Sequence, residues 1–510
     1  MTAAGVERSS IRDPFVFVPL ALYLLLGFAL ITHHEAWRDE ADSWLWARDG
    51  SLEELFGHLG HMGTPSLWYL LLFPMAKAGL PFLAQGVLHV LLSSGTAFLI
   101  LARAPFPRRV RLLVVFSYFF GFEYLVIARN YAIGLLLLFA LAALDGERRQ
   151  RRILFGLTLA LMMNTSVHLL FIGVVILSVE AWESWRERPR PRGRDFGLMV
   201  AFAGAMASVW QLWPPLDGAH AGIIYEFEPR ALRWTLSQSL LPGIPVYGLH
   251  FVTIPVFIAC VAALWRYKRS LVIFTAGYAG LLYIMTFKVV GGVRHFGLVY
   301  ALLLYCMWIA ETAGEKTFRA ANSRRVAMIA LECCLAISLA TAAVYWAMEW
   351  TRPFSGSKEM AEYLDSEGLA SRQIAAHLPA PGSAVLVYLQ QPRRFWFPAL
   401  GREGSYMLWD RTYEEADDVP LQTVARQVSE TAPESLFLTN APLRGPARYG
   451  FRLLFRTSDD VFAKDDEILY IYTPLGLGNT VRAREDWYPD ETDSTAGVAS
   501  EVTAAAKRPE

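Results

Sequence analysis

The chain has 510 residues, of which 54% are hydrophobic and 18% charged, and its 47 basic and 47 acidic side chains cancel. A soluble globule carries about 25% charged residues, so this composition excludes an ordinary soluble protein, and the neutral balance offers no general attraction to nucleic acid. The four cysteines (Cys260, Cys306, Cys333 and Cys334) lie in or beside apolar segments, which excludes a disulfide framework in the last third and gives no zinc spacing. The first apolar run, about 15–32, has no small-residue cleavage site after it and reads as an uncleaved anchor. Arg38-Asp39-Glu40-Ala41-Asp42-Ser43-Trp44 follows directly. Carboxylates are costly beside lipid unless they have a function, so this stretch suggests an enzyme site at a membrane surface.

Further apolar runs lie at about 82–102, 112–128, 131–145, 153–165, 167–181, 196–213, 250–265, 270–288, 295–311 and 326–347. Together they predict eleven spans, several below the ~20 residues of a perpendicular helix. Tight turns at Arg129-Asn130 and Asn164-Thr165-Ser166 join two pairs of them. The apolar stretch 66–79, with Pro65, Pro74 and Lys77, predicts an interfacial or re-entrant helix.

With this threading the clusters Arg103 to Arg111, Arg148 to Arg152, Arg186 to Arg194, Arg266 to Arg269 and Arg319 to Arg325 share the side of the N-terminus. The positive-inside rule makes that side cytoplasmic, and an odd number of spans puts the C-terminal domain outside. The outer face then collects the loop 33–81, the turns at Arg129-Asn130 and Asn164 to His168, the loop 214–249 and the turn Gly291 to His295.

From about Trp350 the composition becomes ordinary. Buried strands are predicted at 384–389, 436–438 and 468–472, with helical patterns at 357–378 and 418–431. The fold class expected is mostly α: a polytopic membrane helix bundle over 1–348, an extracytoplasmic α/β domain over 349–483, and a disordered acidic tail over 484–510. The domain contains neither a Gly-rich phosphate loop nor a nucleophile elbow.

Three stretches carry a family resemblance. They are Asp39-Glu40 in the first outer loop, His61-Met62-Gly63-Thr64-Pro65-Ser66-Leu67-Trp68-Tyr69, and the turn Ala128-Arg129-Asn130-Tyr131, with Arg294-His295 as a weaker fourth. Over roughly 15–310 the pattern resembles the GT-C superfamily of membrane glycosyltransferases, in particular the protein O-mannosyltransferase and aminoarabinose-transferase (glycosyltransferase family 39-like) branch. Thr64-Pro65-Ser66 stands where many relatives carry His-Pro-Pro, and His295 where they carry Tyr, which leaves sugar and acceptor open.

The resemblance implies transfer of a sugar from a polyprenyl-phosphate donor to an acceptor hydroxyl of a glycan, lipid or protein at the outer face. It implies Asp39 as general base, with Glu40 as the alternative base or an acceptor-orienting group. Arg129, Arg294 and His295 are expected at the donor phosphate, and His61, Tyr131 and His168 at the substrate. Glu123 is expected to pair with Arg129, and Trp37, Trp44, Trp46 and Trp68 to act as interfacial anchors or sugar platforms. The structural alternatives are carboxylates at a helix N-terminus, snorkelling arginines and a Tyr of the interface belt. His61, His168 and His295 share no short spacing, so no metal is assigned, and the lipid-linked sugar is a substrate rather than a cofactor. Membrane lipids are the other expected partners. The Ala/Arg/Leu-rich composition suggests a bacterial inner membrane. The competing function is a transporter or lipid flippase, which calls for internal symmetry and ionisable groups at mid-membrane depth.

Overall fold

In lipid a backbone must satisfy its own hydrogen bonds, which favours helices wherever an apolar run is long. The computed structural model describes residues 12–187, 194–218, 229–244, 246, 248–265, 267–288, 292–313, 322–463 and 467–476. The tail 484–510, Gly291, Arg266, Arg319 and parts of the Arg186 to Arg194 cluster and the loop 214–249 lie outside the described residues.

Each predicted span is helical. Helix α1 (Pro14–Ile31) starts with Pro14 and with the Asp13 carboxylate accepting from the Phe15 amide at 2.9 Å. The first long loop is itself helical, as α2 (Arg38–Asp49), α3 (Leu52–Met62) and α4 (Leu67–Lys77). Helix α5 (Leu83–Arg103) follows. The predicted span 112–128 is broken into α6 (Arg108–Phe116), a π-helical turn Phe119–Glu123 and α7 (Tyr124–Val126). Then come α8 (Tyr131–Leu144), α9 (Arg152–Met163), α10 (Val167–Arg186) and α11 (Arg194–Gln211). Helix α12 (Pro229–Gln238) occupies part of what the sequence predicted as an outer loop. Helices α13 (His250–Leu264), α14 (Lys268–Tyr283, with a π extension Ile284–Lys288), α15 (Val293–Thr312) and α16 (Asn322–Thr351) complete the bundle.

Among the described residues, six helical stretches are long and apolar enough to cross a membrane: α1, α5, α10, Lys268–Lys288, α15 and Met328–Thr351. Helices α4, α9 and α13 are apolar but shorter. Helix α4, with 11 residues and Pro74 inside it, has about half the length of a perpendicular span.

The basic clusters meet acidic partners at one end of the bundle. Arg108 reaches Asp13 at 3.3 Å and Arg109 reaches Glu332 at 3.1 Å. Arg269 gathers Asp145 (3.3 Å), Glu183 (2.7 Å) and Glu180, and Arg148 joins the same three carboxylates. This half-buried network ties the ends of α8, α10 and α14 together.

The C-terminal region is an α/β unit with a six-stranded sheet. Its strands are β1 (Ile374–Ala376), β2 (Phe395–Phe397), β3 (Arg402–Gly404), β4 (Leu436–Thr439), β5 (Phe451–Arg456) and β6 (Tyr470–Pro474), in the order β3-β2-β1-β4-β6-β5. Strand β1 is parallel to β2 and β4; the other pairings are antiparallel. Helices α17 (Ser357–Ser366), α18 (Pro379–Leu386), α19 (Arg411–Asp417) and α20 (Leu421–Thr431) connect the strands. The strands predicted at 436–438 and 468–472 correspond to β4 and β6.

The strand predicted at 384–389 is instead the end of α18. Every residue of this helix is buried, and a short run buried all round has no periodicity to separate helix from strand. Pro379 at its first position was the usable signal. The predicted helix 357–378 likewise stops at Ser366 and gives way to β1.

Helix α18 packs on α2, and polar contacts fix the sheet-bearing unit there. The Ala36 amide donates to Tyr388 Oη (2.6 Å), Arg48 to the Leu386 carbonyl (3.2 Å), Ser405 to Asp49 (2.6 Å) and Trp46 Nε1 to the Met407 carbonyl (3.1 Å). At the opposite end, Arg269→Met leaves three partly buried carboxylates short of a cation. It is expected to destabilise the bundle by about 3 kcal/mol, measured as a lower thermal midpoint in detergent, and a wild-type midpoint refutes the structural role.

Candidate functional site

Asp39 and Glu40 open α2, where the helix dipole favours negative charge. Adjacent residues on a helix point about 100° apart, and the two carboxylates divide accordingly. Glu40 turns into the protein. Its Oε1 accepts the Ala128 amide at 2.5 Å, and its Oε2 accepts from Trp37 N (3.2 Å) and His34 Nε2 (2.9 Å). Gln85 Nε2 donates to the Glu40 carbonyl at 3.0 Å. The other nitrogen of His34 faces Glu349 at 2.9 Å. Burial works against a charged His34, but Glu40 and Glu349 outweigh it and hold its pKa well above the ordinary imidazole value. Burial also pushes the Glu40 carboxyl up, and His34 with the Ala128 and Trp37 amides brings it below the usual range. Glu40 therefore holds the backbone next to Arg129 in register with α2.

Asp39 faces the other way. Its Oδ2 is ion-paired with Arg129 and accepts from Arg294 Nη2 at 3.0 Å. Burial raises the Asp39 carboxyl, but the Arg129 and Arg294 guanidinium groups overcome that and bring it down to about 2. Arg294 lies over the Trp37 ring, 4.3 Å from its centroid. Its backbone is held too: Tyr124 Oη donates to the Arg294 carbonyl at 2.5 Å. Gly297 makes that approach possible, since a Cβ there would stand 2.3 Å from Tyr124 Oη.

His295 Nδ1 accepts the Gly292 amide at 2.9 Å and caps α15, so the ring proton sits on Nε2. Its ring stacks on His168 at 4.8 Å, and Tyr131 meets it edge-on at 5.9 Å. Ser166 caps α10 by accepting from Leu169 N at 3.2 Å, which puts His168 in the first turn of that helix. His168 is 4% exposed, and neither ring nitrogen has a hydrogen-bond partner among the described residues.

The fold thus brings Asp39, Arg129, Tyr131, His168, Arg294 and His295 together. His61 contacts a different group: its Nε2 faces Asp217 at 3.3 Å and its ring lies by His58. The expected Glu123–Arg129 pair does not form. Glu123 accepts from Tyr118 Oη at 3.1 Å, while Arg129 pairs with Asp39, which the helical start of α2 delivers to it. Trp44, Trp46 and Trp68 are core residues, at most 2% exposed, and not interfacial anchors or sugar platforms. Their neighbours explain this: Tyr406 lies 4.0 Å from Trp46 and His89 6.3 Å from Trp68, centroid to centroid.

Asp42 is the residue that sequence reasoning passed over. It is 6% exposed and its Oδ1 accepts the Met407 amide at 2.8 Å. Burial pushes its carboxyl up to about 7, against the pull of that amide. The signal was present: Asp42 is three residues from Asp39, on the same face of a helix. Among the described residues no group of three or more His, Cys, Asp or Glu side chains is arranged to hold a metal ion. Neither a protein-family model nor a curated protein matches the chain.

Glu40→Gln removes one of the two carboxylates that hold the His34 imidazolium and weakens the hold on Ala128. It is expected to cost about 2 kcal/mol of stability, read as a lower thermal midpoint. Asp42 has the opposite sign. Its folded pKa of about 7 exceeds the reference value of 3.8, so its contribution is full below pH 3.8 and is lost as pH rises through 7. Asp42→Asn should therefore melt several degrees above wild type at pH 8 and level with it at pH 3.5. A gap that does not change with pH contradicts the buried, proton-holding state of Asp42.

Proposed function

We propose that the chain is a membrane glycosyltransferase of the lipid-phosphosugar-dependent kind. In this reading it moves a sugar from a polyprenyl-phosphate donor to an acceptor hydroxyl of a glycan, lipid or protein. The bundle has eleven spans in a bacterial inner membrane, with the N-terminus cytoplasmic and the sheet-bearing unit on the far side. The observation that carries this reading is the gathering of two guanidinium groups, Arg129 and Arg294, from separate elements around one oxygen of Asp39. Forked cations of this kind suit a phosphate, which offers more acceptor oxygens than a carboxylate and can share or replace Asp39 as their partner.

The neighbouring groups support the same chemistry. His295 commits Nδ1 to the Gly292 amide, His168 has two unpartnered nitrogens among the described residues, and Tyr131 supplies an aromatic face close to them. These can hold sugar hydroxyls or phosphate oxygens. The lipid tail has the apolar helices to lie against, and the carboxylates of α2 supply a base. The ionisable residues gather where α2, α10 and α15 begin, at helix ends, which fits surface chemistry better than passage of a substrate through the bundle.

Two measurements test this reading. Mass spectrometry of envelope glycans and glycolipids, with and without the active protein, should show one sugar missing. The purified chain should bind polyprenyl phosphate, and Arg129→Ala or Arg294→Ala should each weaken that binding by about 2 kcal/mol, roughly thirtyfold. Unchanged glycans together with wild-type binding in both variants overturn the assignment. Lipid flux across proteoliposomes without any product favours the flippase reading.

A further inference from the structure

We infer that Asp42, and not Asp39 or Glu40, takes the acceptor proton in the glycosyl transfer proposed above, a reading on which this assignment rests.

The first argument counts carboxylate oxygens. Both oxygens of Glu40 are occupied, Oε1 by the Ala128 amide and Oε2 by His34 and the Trp37 amide. Asp39 gives Oδ2 to both Arg129 and Arg294. A carboxylate held by two guanidinium groups is stabilised as the anion, which makes it a weak base toward a hydroxyl. Asp42 commits Oδ1 to the Met407 amide, and its Oδ2 has no partner among the described residues. Among Asp39, Glu40 and Asp42, Asp42 alone is desolvated without an ion pair among the described residues, Arg129 acting on it only from a distance.

The second argument is position. Asp39 and Asp42 lie three residues apart on α2, so their Cβ atoms are about 5–6 Å from each other on one face. The titratable groups around Asp42 are Asp39 on its own helix, Arg129 beside α8, Tyr69 on α4 and Tyr413 on α19. Helix α18, which also packs on α2, contributes no titratable side chain. A base on this face is one helical turn from the guanidinium pair that would hold the donor phosphate, and it lies beneath Met407 of the C-terminal unit.

Two acids one turn apart, one brought down to about 2 and the other up to about 7, match the division of labour found where one site needs both a permanent anion and a working base. A base whose pKa lies near the working pH is also the more effective one. In the step itself, Asp42 Oδ2 accepts the proton of the acceptor O–H as the acceptor oxygen bonds to the anomeric carbon. The bond from that carbon to the donor phosphate oxygen breaks, with its electron pair staying on the phosphate. Polyprenyl phosphate is left on Arg129 and Arg294, and the proton passes from Asp42 to water.

The test uses the full chain, with polyprenyl phosphate as the binding probe and formation of the dependent envelope glycan as the transfer readout. Asp42→Asn should bind polyprenyl phosphate within about twofold of wild type and transfer sugar about 10²–10⁴-fold more slowly. Asp42→Glu should recover part of the rate and shift the acid limb of the pH profile, which in wild type falls below pH 7. Asp39→Asn should keep that limb wherever activity is measurable. Wild-type transfer by Asp42→Asn, or loss of polyprenyl phosphate binding together with transfer, overturns the assignment to Asp42. A wild-type chain that binds no polyprenyl phosphate and changes no glycan overturns the glycosyltransferase reading itself.

Discussion

One oxygen of Asp39 holds two guanidinium groups that would otherwise repel each other in a poorly hydrated setting. Arg129 comes from the turn before α8 and Arg294 from the first turn of α15. Like charges brought this close inside a protein require an anion between them. The ion triad therefore sets where three separate elements meet. Trp37 beneath Arg294 and Tyr124 on its carbonyl add fixed supports for that guanidinium group.

Glu40 performs the complementary task on the other side of the same helix. His34, between Glu40 and Glu349, connects the end of α1 and the start of α2 to the last turns of α16. Within the Glu40–His34–Glu349 series each charge has a counter-charge, as a low-dielectric interior demands. The adjacent acids Asp39 and Glu40 thus serve two purposes: Glu40 locks the scaffold, while Asp39 organises cations at the site. The dipeptide alone does not show this division, which follows from the roughly 100° between successive side chains of a helix.

The C-terminal unit takes part in the site. Its loop from Ser405 to Met407 bonds to Asp49, Trp46 and Asp42, and so covers the face of α2 on which Asp39 and Asp42 lie. Desolvation by this cover raises the Asp42 carboxyl, so the behaviour of a residue in the segment after α1 depends on chain more than 360 positions later.

Much of the bundle was readable from local pattern. Runs of apolar residues must be helical in lipid, so the helices are found at the predicted positions, and the alternation of Arg clusters anticipates the ion-paired end formed by Arg108, Arg148 and Arg269. The prominence of Asp39, Arg129 and Arg294 was legible too, because charges beside apolar runs stand out. Their partners were not. Whether Arg129 meets Glu123 or Asp39 depends on packing between distant elements, and sequence proximity favoured Glu123. The 379–386 segment was ambiguous because complete burial removes the period that distinguishes helix from strand. The sequence by itself determined which segments are apolar helices and which residues carry unusual charge, since both follow from local composition. Only the tertiary structure decided which carboxylate meets which cation and which is left desolvated and unpaired, because electrostatic partnership and burial are set by contacts between residues far apart in the chain.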